Sequence, residues 1–194
     1  MMQSKLIVPA DWQVLNDSER RQFFAEEYGE PDSGSNIIAV ARPKAAQEGV
    51  FALLTSLPVG YVDAAGGHID VAAVKAKAEE DLLILNQENG LEGAEEVRFK
   101  KFAPPPTYDS AHHAVTYGIE LGFGREPALN LYRIQLVRDG ALVLTIVGKP
   151  ADRLSIQGFA IEASEDKRYE AFNPNTDRRS ESSLTNLLMM NRFV

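Results

Sequence analysis

The 194-residue chain contains no cysteine, one tryptophan and three histidines. Without cysteine there is no disulfide framework, no thiolate metal site and no cysteine nucleophile, and redox chemistry by the protein's own side chains is excluded. That absence leaves the compartment open, since cytosolic and periplasmic proteins alike can do without cysteine. Long apolar runs are also missing. The N-terminus, MMQSKLIVPADW, has nothing of signal-peptide length, and no stretch approaches the ~18 apolar residues of a membrane span; LTNLLMMNRFV at the end is too short and too interrupted. As written the chain reads as cytoplasmic, and as periplasmic or membrane-anchored if it is a trimmed piece of a longer protein. Clustered cations are scarce as well. With a net charge of −8 and a pI near 5.0, a phosphate backbone is a poor partner, so no nucleic-acid binding is expected. Arg98, Lys100 and Lys101, and Arg178 with Arg179, read as solvated faces or helix ends.

What is present is an ordinary globular composition, 44% hydrophobic and 25% charged, with no repeat or low-complexity segment. One domain over residues 1–194, with a core from about 5 to 188, is the default for this length. Lys5 to Val8 is a strand candidate. Asn16 and Glu19 are placed as a capping box for a helix whose apolar stripe is Phe23, Phe24 and Tyr28 and which stops at Gly29 and Pro31. Asn36 to Ala41 and Val50 to Thr55 read as paired antiparallel strands. Asp70 caps a second helix in which Val71, Val74, Ala78, Leu82 and Leu85 recur at spacings of three and four until Gly90. Glu96 to Phe102 is a strand ended by the Pro104 to Pro106 crossing.

From His113 the residues alternate, with Val115, Tyr117, Ile119 and Leu121 on one face and Ala114, Thr116, Gly118 and Glu120 on the other. Asp139-Gly140 predicts a type I′ hairpin that sets Tyr132, Ile134 and Leu136 beside Val147, Thr145 and Val143, with both faces covered. A short helical stretch follows Pro150, Phe159 and Ile161 suggest a strand, Tyr169 and Phe172 anchor a loop ending at Asn173-Pro174, and Asp177 is placed to cap a final helix with Leu184, Leu187 and Leu188. This order predicts an α+β domain with a largely antiparallel sheet flanked by helices. In element order it is similar to the PsbP-type α/β/α sandwich.

The one dense polar cluster is PPPTYDSAHHAVTYGIEL, residues 104–121. His112 and His113 are adjacent, so in a strand they point apart and do not share a metal. One of them can pair with Asp109, three or four residues away, as a base with its orienting acid; alternatively Asp109 caps a turn and a histidine packs at the sheet edge. Tyr108, Asp109, His112, His113 and Tyr117 are therefore the candidate ligand-binding residues. Asp63, His68 and Asp70 flank an Ala-Ala-Gly-Gly segment and are the weaker candidates for a cation site, on a loop that serves equally as a turn and helix cap. GFGRE at 122–126 has too few glycines for a dinucleotide loop, and no Gly-x-Ser-x-Gly, Ser-x-x-Lys or Gly-Lys-Ser/Thr sequence is present. No cofactor is implied. The residues favour a non-catalytic binding or interaction domain with a protein or small-molecule partner, as monomer or homodimer. The alternatives are a hydrolase-like Asp/His enzyme and a metal-binding domain.

Several stretches taken together, VPADWQVLND, EEYGEP, VGYVDAAGGHID, PTYDSAHHAVTYGIEL, LNLYRIQLVRDGALVLTIVG and RYEAFNPNTD, run in order from about Leu6 to Leu188. In this combination the chain resembles an uncharacterised bacterial family of predicted membrane-anchored proteins, a domain of unknown function. The resemblance implies a shared fold and an envelope association, and it supplies no activity, substrate or catalytic residue. Tyr117 stands where the family pattern implies tryptophan, and the segment from Pro150 to Tyr169 is shorter. The N-terminal signal and C-terminal membrane helix that the resemblance implies are not in this chain.

Overall fold

Asn16 starts the first helix as its neighbours predict: its side chain accepts from the Ser18 and Glu19 amides while Glu19 reaches back to the Asn16 amide, and Gly29 ends the helix at φ 73°. The computed structural model describes residues 4–29, 36–45, 47–64, 66–124, 126–152, 154–164, 168–169 and 179–190. Along the chain lie β1 (Lys5–Ile7), β2 (Trp12–Val14), α1 (Asp17–Tyr28), β3 (Ile37–Pro43), β4 (Phe51–Leu57), β5 (Tyr61–Asp63) and α2 (Val71–Glu88). They are followed by β6 (Val97–Phe102), β7 (Thr107–Asp109), β8 (Ala114–Phe123), β9 (Glu126–Val137), β10 (Gly140–Gly148), β11 (Ala160–Glu162), β12 (Arg179–Ser183) and α3 (Leu184–Met190), with a 3₁₀ turn at Pro150–Asp152.

The main sheet has eight strands in the order β2-β3-β4-β10-β9-β8-β6, and β7 shares with β6 the outer edge of β8. All its pairs are antiparallel. This is the predicted α+β class. The chain passes from β6 to β7 through Ala103 and Pro104, joined by a cis peptide. That crossing lies directly on Gly118: the Ala103 amide donates to the Gly118 carbonyl and the Gly118 amide to the Pro104 carbonyl, both at 2.8 Å. A Cβ at Gly118 would stand 2.0 Å from the Ala103 oxygen, so only glycine lets the two backbones meet.

Register decides the two faces, because residues directly opposite in an antiparallel ladder share a face. On the first face Leu53, Thr145, Tyr132 and Tyr117 form one row, and Thr55, Val143, Ile134, Val115 and Tyr108 the next. Helices α2 and α3 cover it through Val74, Leu82, Leu184, Leu187 and Leu188. Helix α1 lies on the same face, with Phe23 and Phe24 against Val40, Phe51 and Leu53. The second face packs Leu54, Leu142, Leu144 and Ile146 against Leu6, Phe159 and Trp12, beneath the β1–β11 ribbon. Among the described residues all helices of more than one turn therefore lie on one side, and the layers are helices, sheet and ribbon.

The central hairpin also differs in detail. Val137 pairs with Gly140, so Arg138 and Asp139 are the turn residues, and neither has positive φ. The register is displaced from the predicted one by two residues, with Ile134 rather than Leu136 opposite Val143. Parity is unchanged, so every side chain keeps its predicted face. Gly140 takes φ 144° because the Leu57 carbonyl passes beneath it, 2.0 Å from where a Cβ would stand. In α2 the buried stripe is Val74, Ala78, Leu82 and Asn86, while Val71 and Leu85 stay 36% and 38% exposed. Asn86 is buried because it accepts from the Val97 amide at 2.8 Å and donates to the Val97 carbonyl at 2.9 Å, tying α2 to β6. The last helix begins at Leu184, where the Ser183 hydroxyl accepts from the Asn186 amide. The residues before it form β12, parallel to β5. Asp177, Phe172 and Asn173-Pro174 lie outside the described residues.

Candidate functional site

Strand β7 is three residues long, and its alternation divides the polar cluster. Tyr108 falls opposite Val115 on the helix-covered face, and Asp109 falls opposite Ala114 on the other. The histidines follow them. His113 is not in the strand, as alternation predicted, but in the turn before it, at φ 48°. Histidine tolerates this left-handed conformation better than bulkier residues. The backbone is locked there by the Leu136 amide, which donates to the His113 carbonyl at 2.9 Å, and by the Gln135 side-chain amide, which donates to the His112 carbonyl at 2.6 Å.

On the helix-covered side a cleft of about 660 Å³ opens between β5, the Ala64–Gly67 turn, Tyr108, Ser110, His113 and Tyr169. Tyr61 and Tyr169 stack with ring centres 5.2 Å apart and 12° between planes, and His113 lies 4.6 Å from Tyr169. The Tyr169 hydroxyl donates to the Val62 carbonyl at 2.8 Å; with its one proton used, it accepts from the Tyr61 hydroxyl at 3.0 Å. The Tyr108 hydroxyl is 3.2 Å from His113 Nδ1. Burial, and then the neighbouring Tyr61 and Asp109 charges, push the Tyr108 phenol up, and burial foremost does the same for Tyr169. The phenols thus stay protonated as hydrogen-bond donors through the physiological range. Gly67, at φ 60°, lets the turn lie flat on the Tyr108 ring: a Cβ there would be 3.1 Å from it.

On the opposite side, Asp109 Oδ1 accepts from the Ala111 and His112 amides and Oδ2 contacts His112 Nδ1 at 2.6 Å. The His112 hydrogen bond foremost, with those backbone amides, holds the Asp109 carboxyl below the ordinary carboxylate range. As a carboxylate only accepts, Nδ1 carries the proton and Nε2 faces outward. Both side chains are solvated, at 51% and 68% exposure.

Of the five candidate ligand residues, Tyr108 and His113 line the cleft, Asp109 and His112 form a separate exterior pair, and Tyr117 is 1% exposed in the core, stacked on Tyr132 at 4.7 Å. Of the weaker cation trio, Asp63 lines the cleft, His68 is exposed, and Asp70 caps α2 by accepting from the Ala73 amide. Among the described residues no group of three His, Asp or Glu side chains is placed to hold a metal ion. The sequence reading missed Tyr61, Ser110 and Gly66-Gly67 as cleft residues and treated Tyr169 as a loop anchor. Nothing in their local spacing signals a shared site, because they meet only when β5 and Tyr169 dock beside β7.

No helix among the described residues is long and apolar enough to cross a membrane. No curated protein and no solved structure matches the chain. The family described as "Protein of unknown function (DUF2167)" matches residues 1–191, nearly the whole length, and the chain belongs to that family.

Proposed function

We propose that this is a non-catalytic binding domain whose ligand enters the cleft walled by Tyr61, Tyr108, His113 and Tyr169. The observation that carries the reading is the aromatic wall itself: rings already stacked and hydrogen-bonded to one another, beside a glycine turn that exposes backbone. Such preorganised aromatic surface with a few polar tips binds at little entropic cost. The resemblance to exported, anchored proteins supports a role at the cell envelope. The test is a thermal-shift screen with sugars, amino acids, nucleotides, lipids and metal ions, run on the native chain, on Tyr108→Ala and on His112→Ala. A stabilising compound whose effect disappears in Tyr108→Ala and persists in His112→Ala supports the cleft. No stabilising compound in the panel, or one indifferent to Tyr108→Ala, counts against it.

The 2.6 Å Asp109–His112 contact favours a second reading, a hydrolase-like site in which Asp109 orients His112 and leaves Nε2 as an outward-facing base. Under that reading His112→Ala lowers any hydrolytic turnover by ~10²-fold or more. Turnover that survives His112→Ala would rule it out.

A further inference from the structure

The outward surface of α2 changes character along its length. Up to Asp81 it carries ion pairs, Lys75 with Glu79 and Lys77 with Glu80 and Asp81. Beyond Asp81 stand three consecutive apolar residues, Leu83, Ile84 and Leu85, at 57%, 43% and 38% exposure. Three successive helical positions sweep about 200° of arc, so the one stripe that α2 buries, Val74, Ala78, Leu82 and Asn86, leaves this triplet to solvent. A surface helix ordinarily carries polar side chains there. Ile84 and Leu85 line a groove of about 490 Å³ between α2 and the end of α3, where Met190 is 49% exposed. Its charged rim is Lys77, Asp81 and Glu88, and it shares no residue with the tyrosine cleft.

We infer that this groove is the interface of a two-fold homodimer, in which α2 of one copy packs antiparallel on α2 of the other. Charge selects the occupant. A rim of one ammonium and two carboxylates opposes an anionic lipid surface, which is held by clustered lysine and arginine. Against a second copy the same signs are complementary. When Lys77 stands level with the partner's Glu88, symmetry sets Glu88 level with the partner's Lys77, and the axis passes at the level between Leu82 and Leu83. Ile84 then lies one and a half residues, ~2 Å, from that level, so the two Ile84 side chains meet across the axis with Leu85 beside them. The result is an apolar centre with a charged rim, as interfaces between proteins have. The pairing groups are available. Glu88 makes no ion pair among the described residues, and the Lys77 ammonium, which has three hydrogens to donate, meets two acceptors there, Asp81 at 2.6 Å and Glu80 at 3.2 Å. Sliding one helix by a turn would set Asp81 against Glu88, like on like, and this fixes the register.

The test is sedimentation equilibrium of the full chain, whose mass should climb from 21.4 kDa toward twice that value as concentration rises. Ile84→Asp puts two carboxylates at the axis and should raise the dimer dissociation constant by ~100-fold or more. Its thermal midpoint at concentrations where the native chain is monomeric should be unchanged, because Ile84 is half exposed. Glu88→Lys should weaken the dimer by ~10-fold, and Glu88→Lys combined with Lys77→Glu should recover most of that loss. As the chain has no cysteine, Ile84→Cys gives each copy a single thiol. A short bismaleimide should link two copies through Ile84→Cys and not through Leu83→Cys, which stands about 100° round the helix. A mass that stays at 21.4 kDa up to millimolar concentration, a dimer indifferent to Ile84→Asp, a double variant no tighter than Glu88→Lys, or equal linking through Leu83→Cys would each overturn the assignment. So would a monomeric chain that sediments with phosphatidylglycerol vesicles and loses this in Ile84→Asp, since the groove would then belong to a lipid surface.

Discussion

Tyr108 and Asp109 are consecutive in a three-residue strand, and their side chains serve opposite faces of one sheet. Tyr108 meets His113 at 3.2 Å inside the cleft, while Asp109 meets His112 at 2.6 Å in solvent. What reads in the sequence as one polar cluster is two pairs separated by the thickness of a sheet. Their mutational effects should be independent in the way that groups without shared partners are.

The exterior pair has a pH signature. Asp109 is held below the ordinary carboxylate range, chiefly by His112. A depressed folded-state value means that its contribution to stability is present above the unfolded value, near pH 3.9, and is lost as pH falls through the folded one. Carboxyl-carbon NMR titration should place the Asp109 midpoint low, and His112→Ala should move it up without bringing it fully to the ordinary value, since the two backbone bonds remain. No movement in the variant would mean that the histidine is not the cause.

Alkaline titration should separate the tyrosines, of which there are six. Burial first, then the Glu27 charge, pushes Tyr28 up to about 12, and burial raises Tyr108, Tyr132 and Tyr169 as well. A raised folded-state value gives stability that is complete below the unfolded phenol value, about 10, and fades as pH rises through the folded one. Phenolate absorbance should therefore rise in stages above pH ~10, with urea midpoints falling over the same interval. A single step at the ordinary phenol value would contradict the burial of these rings.

Gly140→Ala should destabilise by about 3 kcal/mol or more, because the new Cβ meets the Leu57 carbonyl and the φ of 144° is strained for any side chain. Urea unfolding measures it. A loss within the ordinary surface range of ~0.5 kcal/mol would mean that the hairpin end relaxes away from Leu57.

Asn86→Ala should cost about 2 kcal/mol by leaving the Val97 N–H and C=O unpaired. Asn86→Asp should also destabilise, since a carboxylate satisfies the Val97 amide and repels its carbonyl. If the aspartate variant were as stable as the native chain, the carbonyl bond would carry no weight.

Much of the scaffold is legible in the residues themselves. The Asn16–Glu19 box, the Asp70 cap and the alternation from Val115 to Leu121 act over one or two turns of chain, within the reach of local physics. The hairpin shows where that reach ends. Parity placed each residue of β9 and β10 on its correct face, but the turn shifted because Gly140 answers to Leu57, more than eighty residues earlier in the chain. Leu85 and Asn86 make the same point: hydrophobic spacing favoured the leucine, and the approach of β6 buried the asparagine.

By itself the sequence determined the class of fold, the N-terminal caps of the first two helices, the faces of the long strands and the exclusion of cysteine chemistry, because each follows from composition or from contacts between near neighbours. Tertiary structure alone decided that the three described helices share one face, that Tyr117 is core while Tyr61 and Tyr169 wall a cleft, and that Tyr108 and Asp109 part company. These depend on which distant strands lie side by side. Register between them is set by the packing of the whole sheet, and no local pattern in the chain encodes it.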